Sequence, residues 1–92
     1  STSLLVRKMV EAANERDLPV QIDAYGVSEF DIQFPQYQVV LLGPQVKYML
    51  KTLSDKAASL NIPVQPIDTM DYGMQRGDNV LNYALSLIPA AH

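Results

Sequence analysis

Apolar residues recur at helical spacing in three stretches of this chain. Leu5, Val6, Met9, Val10 and Ala13 form one stripe, with Arg7, Lys8, Glu11 and Asn14 turned to water. Val46, Met49, Leu50, Leu53, Ala57 and Leu60 form the second, which Asn61 and then Pro63 bring to a close. The third begins at Asp78, a good N-cap residue, and carries Val80, Leu81, Ala84, Leu85 and Ile88 before Pro89. A shorter stretch, SEFDIQF, has room for two turns, with Ser28 as cap and Phe30 stacked over Phe34.

Strand patterns lie between these helices. Residues 20–24 alternate apolar Val20, Ile22 and Ala24 with polar Gln21 and Asp23. Residues 39–42 are continuously apolar, as in a strand covered on both faces, so they belong at the centre of a sheet. Residues 63–67 contain Pro66, which cannot donate to a ladder and therefore marks an edge. The alternation of helices and strands predicts an α/β fold, a parallel sheet with crossover helices on both faces. A right-handed crossover through the first helix needs a strand before it. A strand ahead of Ser1, lying between segments 20–24 and 39–42, would complete a four-stranded parallel open sheet of order 2-1-3-4. The expectation is one domain over residues 1–92, incomplete at its N-terminal side, with a gap one strand wide between those segments.

Composition removes several classes of function. With 48% apolar and 18% charged residues among 92, the chain reads as a globular domain. A net charge of −3 with scattered basic residues argues against nucleic acid, and Arg7–Lys8 is the only adjacent basic pair. No stretch reads as a membrane span or a secretion leader, so a cytoplasmic location is expected. The chain has no cysteine, hence no disulfide framework and no thiolate metal site, and no metal or cofactor is expected.

Several segments resemble the enzyme IIB components of the bacterial phosphotransferase system, lactose/cellobiose (chitobiose) class. STSLLVRKM is similar to the helix that opens after that family's phosphate loop. VVLLGPQVKYML resembles its third strand, loop and following helix, and VQPIDTMDYGMQRGDNVL its fourth strand, a loop with a Tyr-Gly pair, and the last helix. The resemblance runs in order along essentially the whole chain. It implies a small cytoplasmic phosphocarrier. In the family a cysteine ending the first strand takes phosphate from a phosphohistidine of the IIA component, then gives it to a sugar held by the membrane component IIC. Docking at the inner face of the membrane through IIC and a β-linked disaccharide as acceptor are implied with it.

The family motif runs roughly Cys-x-x-Gly-x-Ser-Thr-Ser, and Ser1, Thr2 and Ser3 match its last three positions. The resemblance makes these three phosphate-binding and Gly43, Pro44, Gln45, Tyr72 and Gly73 site-lining. The phosphoacceptor cysteine and the motif's glycine are absent, so the 92 residues alone should be inert in transfer. Such a loop works because amides converging at a helix start hold a phosphoryl dianion and lower a thiol's pKa. The related low-molecular-weight phosphatases carry arginine where Ser1 stands, and a serine there suits a carrier that must keep its phosphocysteine.

Blander readings accompany each of these residues. Ser1, Thr2 and Ser3 also make an ordinary N-cap, and Gly43, Pro44 and Gln45 an ordinary strand-to-helix turn with Pro44 in the first helical turn. Asp68 and Asp71 read as cap and turn residues, and Phe30, Phe34, Tyr37 and Tyr48 as core and rim packing. His92 reads as a terminal remnant. Two alternatives remain beside the carrier: a phosphatase-like phosphate-binding domain, which would want that arginine, and a non-catalytic α/β module. A response receiver would need an acidic residue where Gly43 follows Leu42, and a flavin carrier a longer polar loop than LGPQ.

Overall fold

A computed structural model describes residues 2–88. Ser1, Pro89 and His92 fall outside the described residues, as does the side chain of Thr2, so the expectations placed on them do too. In chain order the elements are helix α1 (Thr2–Glu15), a single helical turn α2 (Phe30–Gln33), strand β1 (Val40–Leu42), helix α3 (Leu50–Ala58), strand β2 (Val64–Pro66), the short helix α4 (Thr69–Gly73) and helix α5 (Gly77–Leu87). Turns of 3₁₀ helix flank α2 at Val27–Glu29 and Phe34–Gln36, and another segment, Pro44–Met49, leads into α3.

The sheet of the described residues is parallel and two-stranded, with Val40 opposite Val64, Leu41 opposite Gln65 and Leu42 opposite Pro66. Val40 N–H donates to Pro63 C=O (3.0 Å) and Ile67 N–H to Leu42 C=O (2.8 Å). In a parallel ladder alternate residues turn their backbone groups to the partner, so Pro66 sits where its missing N–H would have faced away from β1. The four-strand order is therefore not what the described chain forms. Residues 20–24 are not a ladder strand, and no backbone hydrogen bond of the described residues engages positions 21–24.

Helices do cover both faces. Side chains of a strand alternate between faces, and the two leucines of β1 divide accordingly. Leu42 joins Phe30, Leu53, Ala57 and Val64 in the cluster under α2 and α3. Leu41 packs instead against Leu5, Met9 and Val80 of α1 and α5. A third cluster, Ala12, Ala13 and Leu81, continues the contact between those two helices.

Local chemistry sets the ends of the elements. At three helix ends a non-glycine residue takes a left-handed conformation: Asp17 (φ 58), Asn61 (φ 58) and Gln75 (φ 54). Each is followed by the same pair of bonds: Leu18 N–H to Ala13 C=O, Ile62 N–H to Ala57 C=O and Arg76 N–H to Asp71 C=O, with the left-handed residue itself donating to Asn14, Ala58 or Tyr72 C=O. This paired closure satisfies carbonyls that the helix leaves open. Asn61 thus ends α3 as its sequence position implied.

Some details differ from the sequence pattern. The buried stripe of α1 is Leu5, Met9, Ala12 and Ala13, while Val10 is exposed. Ser28 makes no cap hydrogen bond, although Phe30 and Phe34 do stack, with centroids 4.7 Å apart. Asp78 is the second residue of α5 rather than its cap, accepting from Asn79 N–H at 2.9 Å. Tyr48, expected in rim packing, is 83% exposed.

Candidate functional site

Gly43 follows β1 and is the extended residue from which Pro44 starts a 3₁₀ turn. The turn is kinked at Val46 (φ −121, ψ 17), so the segment before α3 is two short turns and not one continuous helix. Gln45 folds its amide back over Gly43: a Cβ on Gly43 would meet Gln45 Oε1 at 2.7 Å and Nε2 at 2.8 Å. Glycine here lets that amide sit at the carboxyl end of β1.

The second expected segment is helical, not a loop. Tyr72 and Gly73 lie in α4, which Asp68 caps by accepting Asp71 N–H at 3.0 Å. Asp71 pairs with Arg76 (3.7 Å), consistent with both acids being structural. Tyr72 is half-buried against the cluster of Leu5, Met9 and Val80.

Gly43, Gln45 and Tyr72 line one cavity of about 620 Å³, within the size range of small-molecule sites. Pro44, Gly73 and Ser3 are not among its lining, and Ser3 and Gly73 are exposed. The cavity runs the length of β1's free edge, between residues 19–27 and 36–43. It reaches Leu5, Met9 and Leu81 on one face of the sheet and Phe30, Leu42 and Leu53 on the other.

The two walls are joined by side chains. Tyr37 O–H donates to Asp23, Gln21 Nε2 donates to Asp23 Oδ2 at 2.8 Å, and the Tyr25 and Tyr37 hydroxyls lie 3.1 Å apart. The Tyr25 and Tyr37 rings meet edge to face at 6.2 Å. The Tyr37 hydroxyl, and next the Gln21 amide, hold the Asp23 carboxyl below its usual range; the same bond to Asp23 pushes the Tyr37 phenol well above its own. Sequence reading missed this cluster, since fourteen positions separate Asp23 from Tyr37 and no local pattern links them. No group of acidic or histidine residues among the described ones is placed to hold a metal ion.

Comparison with known proteins now decides the family. The model of the PTS system lactose/cellobiose-specific IIB subunit matches residues 1–83. This chain belongs to that family. The IIB subunit is 41% identical over 93 residues to the PTS system galactose-specific EIIB component of Lactococcus lactis subsp. cremoris, an alignment spanning 96% of this chain and 86% of the relative. It is 39% identical over 88 residues to the oligo-beta-mannoside-specific EIIB component of Bacillus subtilis, spanning 96% and 85%. Its fold matches the solution structure of the cellobiose-specific phosphotransferase IIB component protein from Borrelia burgdorferi. The TM-score is 0.80 at 31% identity, covering 96% of this chain and 81% of the other. Membership in this family carries sugar phosphotransferase activity in general. Among the described residues no helix of the IIB subunit is long and apolar enough to cross a membrane.

Proposed function

We propose that this IIB subunit is a phosphocarrier whose acceptor sulfur stands on a segment ahead of Ser1, at the end of the cavity where Gly43, Gln45 and Tyr72 lie. The observation that carries the reading is the family match over residues 1–83 in a chain that has no cysteine of its own. A thiolate of that upstream cysteine attacks the phosphorus of a phosphohistidine on IIA. The P–N bond breaks as the S–P bond forms, and the imidazole keeps the electron pair and takes a proton. A sugar hydroxyl held by the membrane component IIC then attacks the same phosphorus. The S–P bond breaks, the thiolate is restored, and the hydroxyl proton passes to a base of the acceptor complex.

The residues of this chain hold and orient the phosphoryl group. The start of α1 supplies N–H groups and the positive end of the helix dipole, and the family motif gives Ser1, Thr2 and Ser3 the phosphate-binding role. Gln45 offers amide hydrogens beside the strand end, while Pro44 and Gly73 shape the surface that both partners approach. A β-linked disaccharide as acceptor accords with the names of the cellobiose- and oligo-beta-mannoside-specific relatives, whereas that of the galactose-specific relative specifies no such linkage. A domain working with IIC operates at the inner face of the membrane.

The test is labelling from ³²P-phosphorylated IIA. A form carrying the upstream cysteine should become labelled on sulfur and lose the label to disaccharide only when IIC is present. The 92-residue chain should take up none. Stable labelling of this shorter chain would make some other residue the acceptor and defeat the proposal.

A further inference from the structure

We propose that Lys47 is the specificity-determining residue for the phosphoryl donor, its ammonium taking an acidic side chain that phosphorylated IIA presents beside the phosphohistidine. The inference rests on the phosphocarrier reading and adds to it the residue that favours one of the two partners. Placement is the first support. The turn after β1 is kinked at Val46 (φ −121, ψ 17), and its polar residues part there. Gln45 lines the cavity beside β1, whereas Lys47 lines a second, open cleft with Pro66, Asp68, Thr69 and Tyr83. That cleft, of about 490 Å³, lies at the carboxyl end of β2, and Ile67 belongs to the lining of both. A protein that covers the strand end at Gly43 and Gln45 thus comes beside Lys47.

The distribution of charge is the second support. Lys51 pairs with Asp55 (3.6 Å), Lys56 with Asp31 (3.1 Å) and Arg76 with Asp71 (3.7 Å). Lys47 is exposed, and its ammonium has neither an ion pair nor a hydrogen bond among the described residues. The acids of its own cleft are engaged elsewhere. Asp68 accepts Asp71 N–H, while Asp71 faces Arg76 and accepts from the Asn79 amide at 3.3 Å. Within the segments that follow the two strands, residues 43–49 and 67–76, Lys47 is the cation left without an ion pair.

Charge also decides between the partners. Phosphorylated IIA brings a phosphoryl dianion to a chain whose net charge is −3, so a cation at the rim lowers the repulsion and speeds encounter. A carboxylate of IIA facing Lys47 then fixes the approach of the phosphohistidine. The cytoplasmic loops of membrane proteins carry an excess of Lys and Arg, and the same ammonium is not drawn to them. An exposed rim charge of this kind is worth about a three- to fivefold change in encounter at low salt.

The experiment follows rapid transfer from ³²P-phosphorylated IIA to the form carrying the upstream cysteine, over a range of IIA concentrations. In Lys47→Gln the concentration giving half the maximal rate should rise about three- to fivefold at low salt, with the maximal rate and Tm unchanged. In about 0.5 M salt the difference should shrink below about twofold, because exposed charges are then screened. Lys47→Arg should restore the parent value, and Lys47→Glu should raise it beyond Lys47→Gln. Lys51→Gln removes the same charge from a lysine already paired with Asp55 and should leave the half-maximal concentration as it is. An unchanged value in Lys47→Gln at low salt, with label still reaching sulfur, would overturn this proposal and leave the phosphocarrier reading standing. An effect matched by Lys51→Gln, or one confined to onward transfer through IIC, would overturn it equally. Absence of label on sulfur in the parent protein would bring down both readings together.

Discussion

Replacing Gly77 with alanine tests how α1 and α5 meet. Gly77 is buried, and a Cβ added there would lie 2.5 Å from the Lys8 carbonyl carbon, with Lys8 Cβ and Met9 N each at 2.6 Å. Comfortable carbon–carbon separation begins near 3.5 Å, so α1 must retreat by about 3.5 − 2.5 = 1.0 Å at this point. Two of the three blocking atoms are backbone, and no rotamer change relieves them. A radial opening of that size forfeits about a quarter to a half of each dispersion contact along the seam. The seam is where Leu5, Met9, Ala13, Val80 and Leu81 are buried, so overpacking should cost about 1–3 kcal/mol. Alanine's better helix propensity returns at most about 0.5–1 kcal/mol, and less at the first residue of a helix. The net loss of about 1–2 kcal/mol corresponds to a fall in Tm of roughly 4–16 °C for a domain of this size. Calorimetric melting of Gly77→Ala beside Gly73→Ala reads it out, because a Cβ on Gly73 meets nothing within 4 Å. Neither glycine has a positive φ. A Gly77→Ala protein melting at or above the parent, or an equal loss in Gly73→Ala, would refute close helix approach as the cause.

Gln75→Gly should stabilise by about 0.5–1 kcal/mol in urea unfolding, because glycine relieves the left-handed strain at φ 54; a loss would show that the Gln75 side chain supplies more than its backbone strain removes. Tyr37→Phe should lower stability between about pH 5 and pH 9 and converge with the parent at both extremes. Asp23, with its pKa lowered, contributes above the ordinary carboxylate range and loses that as pH falls through the lowered value; Tyr37, with its pKa raised, contributes below pH 10.0 and loses it as pH rises beyond. The Asp23 carboxyl titration by NMR should move up toward 3.8 in the variant, and an unchanged midpoint would break the assignment. Gln45→Ala and Tyr72→Ala, made in a form carrying the acceptor cysteine, should slow phosphate transfer at least tenfold and shift Tm by less than about 4 °C. Unfolding without a lower rate per folded molecule would make both residues structural.

The linear pattern was enough for the elements that local chemistry governs. Helical spacing located α1, α3 and α5, continuous apolarity marked 39–42 as a strand covered on both faces, and Pro66 identified the sheet edge. Asn61 announced the end of α3, and Asp68 its capping role, because each acts on backbone within a few residues. The family was legible for the same reason, its segments following one another in order. What required the tertiary structure depends on separations that periodicity does not encode. Segment 20–24 has strand alternation but no ladder, since a strand forms only where a neighbour offers its backbone. Gly77 looks like an ordinary glycine ahead of a capping aspartate until α1 is placed against it. Val10 has the right spacing for the buried stripe and is exposed all the same, while Ala12 is buried in the cluster with Leu81 of α5. The Asp23–Tyr37 bond spans fourteen positions, and Tyr72 meets Gly43 and Gln45 at one cavity from still farther along the chain. Local sequence fixes which backbone conformations and which buried faces are favourable; packing of those faces on one another then decides which distant polar groups meet.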